Sequence, residues 1–236
     1  MQWFWDSTRG IAEASELKQR FPTLDLVLDR EHESAAVKGK LFVAGEIGFA
    51  VLLELPNDYP ASVPILRCDP KEIPWKADRH VNEQTGEGCL CVRSEYRIHW
   101  PFGSSLPTFV ERLVVPYFIG QFYYDTHECW PPTGHRSHGS AGIIEAYVDL
   151  TAQLGNSSIE TIERLMRLLA RKAHPKGHEL CPCGSTKPLR RCHVEVIRNL
   201  RRNVAPQDAV ADLRLIAKAK QSSYPTRNMQ PISQRN

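Results

Sequence analysis

The 236-residue chain contains no run approaching the ~20 uninterrupted apolar residues that a membrane-spanning helix needs. It also lacks the opening of a secreted protein. Met1-Gln-Trp-Phe-Trp-Asp6 has no basic segment followed by a long apolar run, so the expectation is no signal peptide and a cytoplasmic location. There is no internal repeat, and glycine and proline follow no period, which excludes a collagen-like chain. With 42% hydrophobic and 24% charged residues the sequence is neither wholly disordered nor a coiled coil, and its length can bury a core of one or two domains. Even cysteine pairing is missing. Seven cysteines without a leader argue against a disulfide framework and for thiol or metal chemistry.

What is present is unevenly distributed. From Arg171 onward there are 14 Lys and Arg against 4 Asp and Glu, a net of +10, whereas the preceding residues carry −7. A basic appendage on an acidic body suits contact with an acidic protein or with nucleic acid. Five cysteines also cluster, as Cys89 and Cys91 and as Cys181, Cys183 and Cys192; Cys68 and Cys129 read as structural.

The hydrophobic pattern predicts a helix over 8–20 and then strands over 24–28, 37–43 and 47–55, joined by short turns as an antiparallel meander. Residues 56–74 are too proline-dense for a central strand. A buried helix is expected over 108–124, kinked or split at Pro116, and another over 141–154. Ser157-Ser158-Ile159-Glu160 caps a further helix to about 172, whose Ile159, Ile162, Leu165, Met166 and Leu169 form a packing stripe. The tail offers one more helix, over 207–221, and its last fifteen residues read as disordered.

The first cysteine group lies within an ordered set of motifs. Leu55-Pro56-Asn57-Asp58-Tyr59-Pro60, with a later Pro64, is followed by His80-Val81-Asn82, Gly88-Cys89-Leu90-Cys91-Val92 and Trp100-Pro101. In order and spacing this set resembles the ubiquitin-conjugating enzyme family over about residues 8–150. That family has a Phe-Pro-x-x-Tyr-Pro turn, a His-Pro-Asn motif, a Gly-x-Ile-Cys-Leu segment and a Trp-x-Pro. Leu55 and Val81 depart from the pattern, the segment before His80 is longer, and the region after Trp100 does not follow it, which fits a divergent bacterial branch.

The resemblance implies an α+β fold, a strand meander flanked by helices, and an acyltransferase that carries a ubiquitin-like protein as a thioester. Aligning Gly88 with the family glycine makes Cys91 the nucleophile. Aligning Gly86 there selects Cys89, but puts Gly88 where an apolar anchor belongs and leaves too few residues after Asn82, so Cys91 is the expected carrier. Asn82 would stabilise the oxyanion formed when a target amine attacks. His80 reads as structural, and His135 and His138 as surface loop residues. An activating enzyme, the modifier and a protein target are the implied partners, and bacterial relatives of this kind imply a role in antiphage defence.

The second group is Cys181-Pro-Cys183-Gly-Ser-Thr-Lys-Pro-Leu-Arg-Arg-Cys192-His193. Three thiolates and an imidazole complete a tetrahedral zinc set with no position left for water, so Zn2+ would be structural. The segment resembles the zinc motif at the carboxy terminus of the bacterial translocase SecA, which implies docking to proteins or ribosomes; its basic face also suits nucleic acid. The expected division is a conjugating-enzyme-like domain over 1–155, a linking helix over 156–175 and a basic zinc module over 176–236, folded largely by its metal. Two other readings stand beside this one: a non-catalytic binding module of the same fold, and a thiol redox protein using Cys89 and Cys91, for which the flanking pattern is poor.

Overall fold

The computed structural model describes residues 4–132 and 135–222. The disorder expected at the carboxy terminus falls almost wholly outside them. A 3-10 turn at Phe4–Asp6 leads into α1 (Thr8–Arg20). Ser7 caps α1, its Oγ accepting the Gly10 amide at 3.0 Å. The meander follows as β1 (Leu24–Asp29), β2 (Ser34–Ala44) and β3 (Ile47–Leu55), paired antiparallel with β4 (Ile65–Arg67) at the far edge. The register sets Val37 opposite Leu53 and Leu41 opposite Phe49, so one face of the sheet is apolar and buried. The three expected strands are all present. β4 lies in the proline-rich stretch, which can pair because the strand is short and sits at an edge.

α2 (Tyr96–His99) is a single turn before Trp100, and beyond it the chain does not split at Pro116. α3 (Leu106–Phe109), a π turn (Val110–Val114) and α4 (Val115–His127) run on as one helix. Proline lacks an amide hydrogen and its ring clashes with the carbonyl four residues back; the wider turn just before Pro116 absorbs both. Leu17 of α1, the inner face of the sheet, Phe109, Val110 and Phe118 make the first hydrophobic core.

A second core lies in the carboxy-terminal half. α5 (Ser140–Ala152) and α6 (Ile159–Leu169) contribute Ile143, Tyr147, Leu150, Ile162, Leu165, Met166 and Leu169. Against them pack Cys181, Leu189, α7 (Val194–Asn203) through Ile197 and Leu200, and α8 (Pro206–Ser222) through Ala209 and Ile216. The packing stripe on α6 is buried except for Ile159. The first core draws on buried residues up to Phe118 and the second on buried residues from Ile143 onward, so α6, within 156–175, packs at the centre of a helical unit that covers its apolar stripe. The expected 141–154 helix is present but belongs to this unit, and α7 was not anticipated. The molecule is thus α+β, a four-stranded antiparallel sheet with helices, and no helix among the described residues is long and apolar enough to cross a membrane.

Candidate functional site

The first cysteine group sits on a hairpin that extends the sheet beyond β4. The Gly88 amide donates to the Leu66 carbonyl at 3.0 Å, the Cys68 amide to Gly86 at 2.9 Å, and the Cys89 amide returns to His80 at 2.7 Å. Gly86, at φ +68°, turns the hairpin in a conformation that side chains rarely adopt. A Cβ on Gly88 would meet Leu66 at 3.0 Å and Cys68 and Tyr117 at 3.3 Å. Core side chains thus fill the space that any residue larger than glycine would need.

The two thiols go to different surroundings. Cys89 is exposed and lines a groove of about 410 Å³ with Val81, Asn82, Glu83 and His138. The chain then bends at Cys91, which is half-buried against the first core, while the next residue, Val92, packs on the second. Burial pushes the Cys91 thiol well above its ordinary value, and Glu95 adds to this. Cys89 is also raised, by desolvation of its sulfur and then by Glu87, with Arg93 opposing. Asn82, too, is positioned by its own loop. Its Oδ1 accepts the amides of Gln84 and Thr85 at 2.9 and 3.0 Å, which sets its Nδ2 on the opposite side as a donor. The structure therefore groups Asn82 with Cys89 and leaves Cys91 outside the groove.

Above the groove lies the loop between α4 and α5. Trp130 anchors one end: its Nε1 donates to the Asp78 carbonyl at 2.7 Å, and its ring lies on Gly120, where a Cβ would come within 2.3 Å of it. Arg136 anchors the other, donating to Glu95 and to Asp149 at 2.6 Å each. His135 immediately precedes Arg136, and His138 follows it by two residues. His80, buried under them, packs edge-on to Trp130 with ring centroids 4.4 Å apart and lies 4.0 Å from the His138 ring. Burial, then the neighbouring His138 and His135, depresses the His80 pKa to about 4, so it is neutral at physiological pH; its Nε2 makes no hydrogen bond. The structural reading of His80 fits this position, whereas His138 lines the groove beside Cys89. Trp130, Arg136, Glu95 and Gly120 were not singled out in the sequence, since their spacing carries no motif. A second groove, of about 290 Å³ beneath Phe102, has no thiol or imidazole in its lining.

The second cysteine group forms a compact cluster at the surface of the helical unit. Leu180 and Pro188 bridge a small hairpin, Gly184 turns it at φ +87°, and Cys192 and His193 enter α7. The donor atoms of Cys181, Cys183, Cys192 and His193 all lie within 4.8 Å of one another. Individual separations are 3.3 Å from Cys181 Sγ to His193 Nδ1, 3.6 Å between Cys183 and Cys192, and 3.2 Å from Cys192 to His193. A tetrahedral Zn2+ with Zn–S of about 2.3 Å and Zn–N of about 2.0 Å needs donor separations of roughly 3.5–3.8 Å, so the set fits with small adjustments. The Asn156 amide, just before α6, holds the Cys183 carbonyl at 3.0 Å and ties the cluster to the second core. All four sequence-predicted ligands are brought together, and the cluster could bind a metal ion.

A scan of family models, a search of curated proteins and a search of solved structures each find no match to this chain.

Proposed function

We propose that this protein is a ubiquitin-conjugating-like acyltransferase that carries the carboxy terminus of a ubiquitin-like protein as a thioester on Cys89 and passes it to a target amine. The observation that carries this reading is the groove in which an exposed thiol, an oriented amide donor and an imidazole converge at the edge of a strand meander. Cys91, the nucleophile favoured by the motif alignment, is half-buried against the core, and Cys89 takes its role here. The chemistry asks little of the protein. Exchange between thioesters is nearly isoenergetic, and one amide donor to the tetrahedral oxyanion is worth about 10²–10³ in rate. The Cys181–Cys183–Cys192–His193 cluster would hold a structural zinc and present the basic face to an acidic protein partner. The antiphage role implied by the resemblance belongs to the same proposal.

The test is intact mass after co-expression with the genomic neighbours and purification at mildly acidic pH without reductant, for wild type, Cys89→Ser and Cys91→Ser. The expected result is a protein-sized adduct on wild type and Cys91→Ser that dithiothreitol removes, and a resistant ester on Cys89→Ser. A second reading, a binding module of the same fold, has its own support in the raised pKa of both thiols. It predicts no adduct, unchanged function in Cys89→Ala and lost function in Cys192→Ala.

A further inference from the structure

We infer that His138 is the proton acceptor for the amine that attacks the Cys89 thioester, held in place by the Trp130 and Arg136 anchors of its loop. This assignment rests on the acyl-carrier reading. A lysine amine with a pKa near ~10.4 is almost entirely protonated at neutral pH, so amide formation needs a group that takes its proton within the site. Among the groove-lining residues, Asn82 cannot accept a proton and the Cys89 sulfur is the leaving group. The residues that remain able to accept one are Glu83 and His138. Glu83 lies on the exposed turn of the hairpin and its Oε1 is turned to the Ala77 amide, at 3.4 Å. His138 is exposed at the groove and backed by the His80 ring at 4.0 Å.

The titratable groups around it leave its imidazole available. His80, from the turn below, is neutral through burial and brings no competing positive charge. On α5, Glu145 accepts the Ser137 amide at 2.9 Å and Asp149 accepts Arg136 at 2.6 Å, so both carboxylates hold the loop. His135 and Arg136, on the same loop, complete the set. In the step itself the lysine ammonium gives one proton to His138, and the freed amine nitrogen bonds to the thioester carbonyl carbon. The carbon–sulfur bond then breaks with its electron pair going to Cys89 Sγ, and the second nitrogen proton passes to that sulfur, so an amide and a thiol are formed. The imidazolium releases its proton to solvent, so no oxidant or further reactant is needed.

The test uses the full chain charged with a short peptide ending in Gly-Gly as its mercaptoethanesulfonate thioester, with acylation followed on the Cys89 peptide by mass spectrometry. Discharge is then timed against Nα-acetyl-lysine and against hydroxylamine, which is unprotonated at neutral pH, for wild type, His138→Gln and His138→Ala. The expected result is similar charging, lysine discharge slowed on the order of 10²-fold at pH 7, a gap that closes towards pH ~10 as lysine loses its own proton, and no change with hydroxylamine. Lysine discharge at the wild-type rate, or equal slowing with both acceptors, overturns the assignment. Failure of wild-type Cys89 to take the acyl group overturns the acyl-carrier reading itself, and this role with it.

Discussion

Glu95 and Arg136 lie 41 residues apart in the chain, and their side chains meet at 2.6 Å, with Glu95 only 8% exposed. Glu95 ends the 3-10 turn that follows the cysteines, and Arg136 belongs to the histidine loop. One ion pair thus sets the loop over the hairpin. Removing one partner of a buried pair costs about 3–5 kcal/mol, and the partial exposure of Arg136 reduces this to about 1–3 kcal/mol. Arg136→Ala is therefore expected to lower stability by that amount in urea unfolding and to slow acyl discharge, because His138 loses its support. Unchanged values for both would show that Trp130 and the Ser137–Glu145 contact hold the loop without this ion pair.

The unlike surroundings of the two cysteines predict unequal labelling. Cys89, exposed at the groove, should react with iodoacetamide ahead of Cys91, which is half-buried and shifted further upward. Because both are raised, labelling of each should accelerate as pH rises above 8. Peptide mapping of a timed reaction reads this directly, and faster labelling of Cys91 would return it to the role the motif alignment suggested.

Two buried groups give stability opposite slopes with pH. Asp212 on α8 is 1% exposed, accepts the Tyr147 hydroxyl at 3.3 Å and is pushed by burial up to about 6 from 3.8. The folded state binds this proton more tightly than the unfolded chain, so the contribution is full below 3.8 and is lost as pH rises through about 6. His80, lowered from 6.5 to about 4, acts in reverse: its contribution is full above 6.5 and is lost as pH falls through about 4. Each is worth at most about 3 kcal/mol. Asp212→Asn should therefore be more stable than wild type above pH 6, by up to that amount, with the difference vanishing near pH 4 in urea midpoints. A constant difference across that range would show that Asp212 does not titrate as its burial requires.

Metal loss should destabilise the helical unit as a whole. Cys181 and Leu189 are buried in the same core as α5 and α6, so disorder in the cluster uncovers Met166 and Leu169. At free zinc 100 times the dissociation constant, binding alone contributes about 2.7 kcal/mol. Chelation, or Cys192→Ser, is expected to release one zinc per chain, lower the melting temperature and reduce helical circular dichroism. Loss of zinc with no change in melting would mean that the second core stands without it.

Gly120 is the seat of Trp130, and Gly120→Ala puts a methyl 2.3 Å from the indole. Overpacking of this kind costs about 1–3 kcal/mol. The expected signs are a shifted tryptophan emission and a His80 that titrates closer to 6.5 by nuclear magnetic resonance, as Trp130 moves off and water reaches the ring. Unmoved emission would place the strain elsewhere.

Local sequence specified the meander, the α6 cap and stripe, and the four candidate metal ligands. Each depends on neighbours close in the chain: a two-residue or 3.6-residue period, a cap three residues from its partner, cysteines within one short hairpin. Tertiary structure decided the rest. Which thiol faces the groove depended on the hairpin's hydrogen bonds to Leu66 and His80, and the position of His138 depended on an ion pair spanning 41 residues. The placement of α5 was also invisible, because an apolar face specifies that it must be covered and says nothing about by what. Long-range packing and charge pairing, which leave no period in the chain, chose the partners that turn these local elements into a site.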